Sequence, residues 1–515
     1  MKQLKKFLTA ALCFTMSLSA LCMSACGDLE AMSGILDDIK EIVQGGQDSG
    51  SSDTNNGGGN TNGDSTNNGG NQGDGIGDTQ NSGVRNVDFT KGIYAKNVTE
   101  LYSYVDGCPT ISTATANPAV LVIPVEFSDV TAASKGYSID KIKKAFNGKD
   151  GDTDYYSVHD YYYQSSYGKL DLDITVLDSW FKPKHNSSYY KNYTMDYDGE
   201  AIAIGDQLIM DEALAELEGK MDLSKFDSDG NYIIDAVVLI NTLKIDEDSD
   251  FNWAYRYWNI YTDEEDYYYE YDGVSANDYL WAPYAFLYED EYGFDNKNGM
   301  NTYTFIHEFG HVLGAEDYYD TAYVGEPLGG YDIMDAMTGD HNAFTKFHYG
   351  WLTSSRLVAA EESITLTLED FSKNGDTILI ANNWDDDCGV YQEYYLLMYY
   401  TNNGLNAGVG NGYFDDEGIL VYHVNAALYE VEEYEGVRYY DVYNTNTDES
   451  DADYGTEDNL IEFVKTSKGG FVYGEGERLS SNIKDDEGAK IPYTFTVDKL
   501  TKDVATITFT KNKGI

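Results

Sequence analysis

The chain is 515 residues long and carries 89 acidic against 34 basic residues, a formal net charge of −55 at pH 7. Such a surface repels nucleic acid and anionic lipid headgroups and attracts cations, so nucleic acid is excluded as a partner. With 5 cysteines and no CxxC, the spacing excludes a thiolate zinc or redox motif.

In chain order, "MKQLKKFLTAALCFTMSLSALCMSACG" opens with Lys2, Lys5 and Lys6, continues as an apolar run from Phe7 to Met23, and ends in small residues before Cys26. That pattern predicts an export signal. A spanning helix and a plain secretory signal are the rival readings, and the run is short for a bilayer. "MSAC" resembles the lipobox of bacterial lipoproteins. The resemblance implies a signal peptide over 1–25, lipidation of Cys26 and anchoring on the outer face of the bacterial cell membrane. Within 26–44, "LEAMSGILDDIKEIV" sets apolar residues at helical spacing and predicts a short amphipathic helix. Residues 45–84 are Gly, Asn, Ser, Thr and Asp with almost nothing to bury, which predicts a disordered linker.

Residues 85–351 are expected to form an α/β unit. "AVLVIPVEF" (119–127), "KLDLDITVL" (169–177) and "IIDAVVLIN" (233–241) predict strands, whereas "SIDKIKKAF" and "AIAIGDQLIMDEALAELEGK" carry helical periodicity. A further helix is expected at about 301–314. From 352 to 515 short alternating runs such as "SITLTL", "EYYLLMYY", "GILVYHV" and "VATITFT" predict an all-β domain of antiparallel strands.

The chemistry concentrates in "HEFGHVLGAEDYYD", residues 307–320. One helical turn separates His307 from His311, so both project from one face and can grip one ion, with Glu308 beside it as general base. Two imidazoles leave a catalytic zinc one protein ligand short. Gly314 can end the helix in the left-handed conformation and turn the chain back, which brings Asp317 to the ion. Glu316 is the competing carboxylate. In "GGYDIMDAM", Met334 follows a glycine turn and can form a soft apolar floor under the ligands.

"HEFGHVLGAED" followed by "YDIMDAMTGDHNAFTKFHYGW" resembles the immune inhibitor A family of secreted bacterial metallopeptidases, a metzincin-related branch with aspartate as third ligand. "LVIPVEFSD", "SVHDYYYQSSYGKLDL" and "FDSDGNYIIDAVVLI" look like that family's upstream segments in the same order, so the resemblance covers most of 119–352. It implies a metzincin-like α/β (α+β) zinc peptidase domain followed by the β-rich domain. It also implies His307, His311 and Asp317 as zinc ligands, Glu308 as the catalytic glutamate acting on a zinc-bound water, and Met334 as the methionine turn. Protein or peptide substrates outside the cell follow from the same likeness. Tyr331, His341 and Tyr349 are candidate donors to the developing oxyanion.

In "DSDGNYIID", Asp227, Asp229, Asn231 and Asp235 stand at positions one, three, five and nine of a calcium-loop pattern, making calcium a second candidate cofactor. Tyr232 and Val238 occupy positions where an EF-hand needs glycine and glutamate, so an ion-free turn into a strand is the competing account. Cys108 and Cys388 are open to a disulfide, to two free thiols, or to a latent state in which Cys108 caps the zinc. The rival to an enzyme is a non-catalytic surface adhesin or binding lipoprotein that uses its β-rich domain. The intact glutamate of HExxH argues against it, because pure binding needs no general base.

Overall fold

The computed structural model describes residues 83–91, 117–149, 151–197, 200–246, 249–259, 269–288, 299–319, 327–336, 339–407, 416–434, 437–442, 444–446 and 459–513. The expected signal peptide, Cys26, the amphipathic helix, Cys108 and nearly all of the 45–84 linker lie outside the described residues.

Strands β1 (Val84–Asp88), β2 (Ala119–Val125), β3 (Asp173–Val176), β4 (Ala236–Asn241), β5 (Tyr255–Trp258) and β6 (Asp278–Pro283) precede the central helix. Five of them form one sheet in the order β3-β2-β4-β6-β5. The first four run parallel, and β5 closes the edge antiparallel to β6. Parallel strands need helices on both faces, which is why β2 and β4 are apolar at nearly every position rather than at alternate ones. Val120, Val122, Val238 and Ile240 point into a core built with Ile142, Phe146, Tyr161, Phe305 and Phe309. Their neighbours Leu121, Ile123, Val237 and Leu239 point the other way, onto Ile209, Met210, Ala213 and Leu214.

Helices α1 (Ile139–Asn147), α2 (Val158–Ser165) and α4 (Tyr303–Val312) therefore cover one face, and α3 (Gly205–Leu217) covers the other. The predicted run 201–220 divides: residues 200–203 are a strand, and the helix begins at Gly205. Gly205 itself is required by space, since a Cβ there would stand 2.0 Å from the Tyr190 carbonyl oxygen.

Beyond α4 and the short α5 (Ile333–Ala336) and α6 (Ala343–His348) the chain is mostly strands. These are β7 (Ser354–Val358), β8 (Ser363–Glu369), β9 (Thr377–Ile380), β10 (Glu393–Tyr400), β11 (Gly418–Asn425), β12 (Ile461–Phe463), β13 (Tyr493–Leu500) and β14 (Val504–Lys511), with a separate two-stranded pair of Leu428–Tyr434 and Val437–Val442. A six-stranded sheet runs β1-β7-β9-β10-β11-β12, and a three-stranded sheet β8-β14-β13 packs on it. β10 shows the two-sidedness: Tyr395, Leu397 and Tyr399 face the small sheet, while Tyr394, Leu396, Met398 and Tyr400 join the same apolar cluster as Phe305 and Phe309. β1, from ahead of the α/β unit, pairs with β7. The fold is thus mixed α/β with a strand-rich C-terminal part. No helix among the described residues is long and apolar enough to cross a membrane.

The edge strand is tied in by charge. Arg256 on β5 meets Asp278 on β6 through Nε–Oδ1 at 2.8 Å and Nη2–Oδ2 at 2.6 Å, with both side chains buried. Removing one partner strands the other's charge in the interior. Asp278→Ala should therefore lose about 3–5 kcal/mol in denaturant unfolding, whereas replacing both residues by apolar ones of similar volume should recover most of that loss. A double variant no more stable than Asp278→Ala would show that the pair is not the source of the cost.

Candidate metal centre

Helix α4 is buried on almost every side: Thr304 through Gly310 and Val312 are all buried. Its carbonyls are held from outside as well as within. The Tyr162 hydroxyl donates to the Ile306 oxygen at 2.5 Å, and the Tyr349 hydroxyl to the Gly310 oxygen at 2.8 Å. Gly310 lies between the two histidines for a reason of space, since a Cβ there would meet the Met334 sulfur at 2.6 Å. Met334 is fully buried against the helix at this point.

The helix stops as the glycine requires. Gly314 adopts φ +96°, and the Ala315 N–H returns to the Gly310 oxygen at 3.0 Å. His348 Nε2 lies 2.9 Å from the Gly314 oxygen and secures the turn. The reversed chain then brings Asp317 Oδ1 to 2.9 Å from His307 Nε2 and 3.2 Å from His311 Nε2. Glu316 faces elsewhere, its carboxylate accepting from the Thr445 hydroxyl.

The far sides of the imidazoles decide their tautomers. His307 Nδ1 is 2.8 Å from the Ile333 oxygen, and His311 Nδ1 is 2.8 Å from the Ala315 oxygen. A carbonyl can only accept, so each Nδ1 carries a proton and Nε2 is the nitrogen turned towards Asp317, where a neutral ring offers its lone pair to an ion. Asp317 Oδ1 is buried and lies within hydrogen-bonding distance of both rings, so the three atoms share one small pocket. Three potential ligand atoms thus converge on one point. The atoms lie within 4.8 Å of one another, and two ligands on a tetrahedral zinc with bonds of about 2.0–2.2 Å are separated by roughly 3.3 Å. The residues fit a zinc ion.

Electrostatics agree with the geometry. Burial alone would raise the Asp317 carboxyl, yet His311 and His307 hold it well below the usual carboxylate range. Burial works against charge on His311, but the facing Asp317 overcomes it and pushes the ring up to about 10; His307 shifts upward for the same reasons. The pocket therefore favours positive charge between the three groups. Glu308 moves upward because it is buried, an effect that the neighbouring histidines only partly offset. Its carboxylate accepts the Arg256 backbone N–H, which ties it to β5.

The chain is similar to immune inhibitor A. With the protein of that name from Bacillus thuringiensis subsp. alesti it shares 26% identity over 205 residues, covering 35% of this chain and 28% of the relative. The chain thus matches less than a third of the relative's length. No family model matches.

The remaining sequence candidates fall in different places. Tyr349 spends its hydroxyl on α4, so it braces the helix. His341 is fully buried among Tyr161, Tyr162, Tyr349 and Trp351, with both ring nitrogens unpaired, and burial drives its pKa well down. Tyr331 packs edge-on against Tyr400, Phe463 and Phe471. Asp227, Asp229 and Asp235 gather carboxylate oxygens within 4.8 Å, but all three already accept backbone N–H groups of the turn and its surroundings. Asn231 accepts from Ile233 N–H and donates to Asp229. Cys388 is a half-buried free thiol.

Sequence reasoning missed Tyr319, whose hydroxyl donates to Asp317 Oδ2 at 2.8 Å. Spacing of two from Asp317 was the available signal. It also missed Asp332, which accepts from Met334 N–H and from both the backbone and side-chain N–H of Asn342, thereby shaping the turn that offers the Ile333 carbonyl to His307. Metal-binding titration should show Asp317→Ala losing zinc affinity by well over tenfold while Glu316→Ala stays within about threefold, since only Asp317 meets the imidazoles. Tyr319→Phe, which removes a support rather than a ligand, should cost about 10- to 100-fold.

Proposed function

We propose that the chain is a zinc-dependent endopeptidase that hydrolyses peptide bonds of extracellular proteins, exported and held at the cell surface through a lipid on Cys26. One observation carries the catalytic part: His307 Nε2, His311 Nε2 and Asp317 Oδ1 converge beside the buried Glu308. The similarity to immune inhibitor A supports the same reading. The surface location rests on residues 1–26 alone.

His307, His311 and Asp317 would hold the ion and leave room for water and substrate. When bound, zinc supplies a Lewis acid that polarises the scissile carbonyl and acidifies a water. Glu308 takes the proton of the attacking water on a carboxylate oxygen and passes it to the leaving amine. Its upward shift suits both halves of that task, because a stronger base accepts the proton more readily and the acid so formed still protonates an amine. The backbone N–H of Arg256 keeps the carboxylate from rotating away. Met334 keeps water from beneath the helix, and Tyr319 fixes the second oxygen of Asp317 so that Oδ1 stays on the two imidazoles.

Casein cleavage by the zinc-loaded full chain tests the reading. Activity should vanish with a chelator and return with zinc; a chain that binds zinc and cleaves no protein or peptide would leave only a surface-binding role. Glu308→Gln should retain zinc and lose about 100- to 10,000-fold in turnover. Glu308 must be ionised to act, and its pKa lies above the ordinary 4.5. The acid limb of kcat/KM should therefore fall at a pH above 4.5, with activity lost as pH drops through that limb.

A further inference from the structure

A second histidine lies among carboxylates in the strand-rich part. His423 on β11 stands opposite Tyr395 on β10 and Glu462 on β12, on three adjacent strands. Its Nε2 is 2.8 Å from Glu393 Oε1 and 3.8 Å from Asp486 Oδ1, and its Nδ1 is 3.9 Å from Glu462 Oε1. One imidazole thus faces three carboxylates, and even a protonated ring balances only one of them.

The groups are set rather than merely gathered. His423 is stacked on Tyr395 with ring centroids 4.8 Å apart and planes at 14°, and the Tyr395 hydroxyl is fixed by the Lys484 oxygen at 2.7 Å. Glu393 Oε1 accepts the Asp486 N–H at 3.0 Å, and Asp486 Oδ2 accepts from the Asn425 side chain. The turn that carries Asp486 is tied down by Asn382 Nδ2 to Asp485 Oδ2 at 2.6 Å. His423 Nε2, Glu393 and Asp486 therefore present one ligand atom each, all within 4.8 Å of one another. Their separations of 2.8 and 3.8 Å bracket the roughly 3.3 Å between ligands on a tetrahedral ion.

We propose that Glu393, His423 and Asp486 form a second metal site, independent of the one on α4, that binds a divalent transition-metal ion. An imidazole with two carboxylates suits zinc or manganese rather than calcium, which takes oxygen ligands. Glu462 lies on the other side of the ring, 3.9 Å from Nδ1, and is outside the ligand set. The ion would join β10 and β11 to the 485–488 turn, with water completing its shell.

The test counts zinc bound to the full chain. The protein is stripped with a chelator and reloaded with excess zinc in millimolar calcium, which occupies all-oxygen sites. Unbound metal is removed by gel filtration. Against the wild-type count, His423→Ala should hold one zinc fewer, and Glu393→Gln, which keeps the side-chain shape, should bind that zinc at least tenfold more weakly. His311→Ala should lose a different zinc, so His311→Ala with His423→Ala should lose both. A count lowered in His423→Ala or Glu393→Gln, with an unchanged circular dichroism spectrum, supports the site whether or not the α4 centre binds zinc. A wild-type count retained by Glu393→Gln and by folded His423→Ala overturns it.

Discussion

Two hydrogen bonds that never touch the centre govern it. By donating from Nδ1 to the carbonyls of Ile333 and Ala315, His307 and His311 each turn Nε2 outward. Without those carbonyls the imidazoles could change tautomer or rotate, and the two-residue grip on an ion would be lost. Both carbonyls belong to turns, one at the methionine floor and one just beyond Gly314. The helix, the glycine turn and the Asp332-shaped turn must therefore all fold before any of the three ligand atoms is correctly aimed.

That dependence explains the aromatic bracing behind α4. A helix buried on nearly all sides has no solvent to stabilise small displacements of its carbonyls, so Tyr162 and Tyr349 supply donors from two different elements. The same packing continues without a break into the strand-rich part through Tyr394, Leu396, Met398 and Tyr400. The six-stranded sheet consequently backs the centre as well as serving its own small partner sheet.

Much of this was legible in residue order. Period-two runs marked β8 and β14, and an unbroken apolar run marked β2, because burial on one or two faces writes itself directly into alternation or its absence; β10 and β11, read as alternating, are instead buried at nearly every position. His307, His311, Gly314 and Asp317 could be placed together because local helix geometry and one left-handed residue fix their relation. Glu316 and Asp317 differ by a single position, yet alternation along the returning chain sends one toward Thr445 and the other toward the imidazoles. Tyr319, Asp332 and the Glu393–His423–Asp486 group were not legible, since each depends on contacts between segments whose approach no local pattern encodes. Tyr349 shows the opposite failure: its nearness to the methionine turn was correctly read, but its hydroxyl is taken by a helix carbonyl.

β1 has a mechanical meaning. It enters the fold as an edge strand paired antiparallel with β7, Val84 against Val358 through Asp88 against Ser354. Tension applied to the chain ahead of Val84 is borne first by this ladder rather than by the α/β core. A load directed along the strand shears the whole ladder at once, whereas a load directed across it peels the pairs one by one from Val84. The direction of pull, rather than the total number of contacts, thus sets how firmly the folded body is held by whatever precedes it.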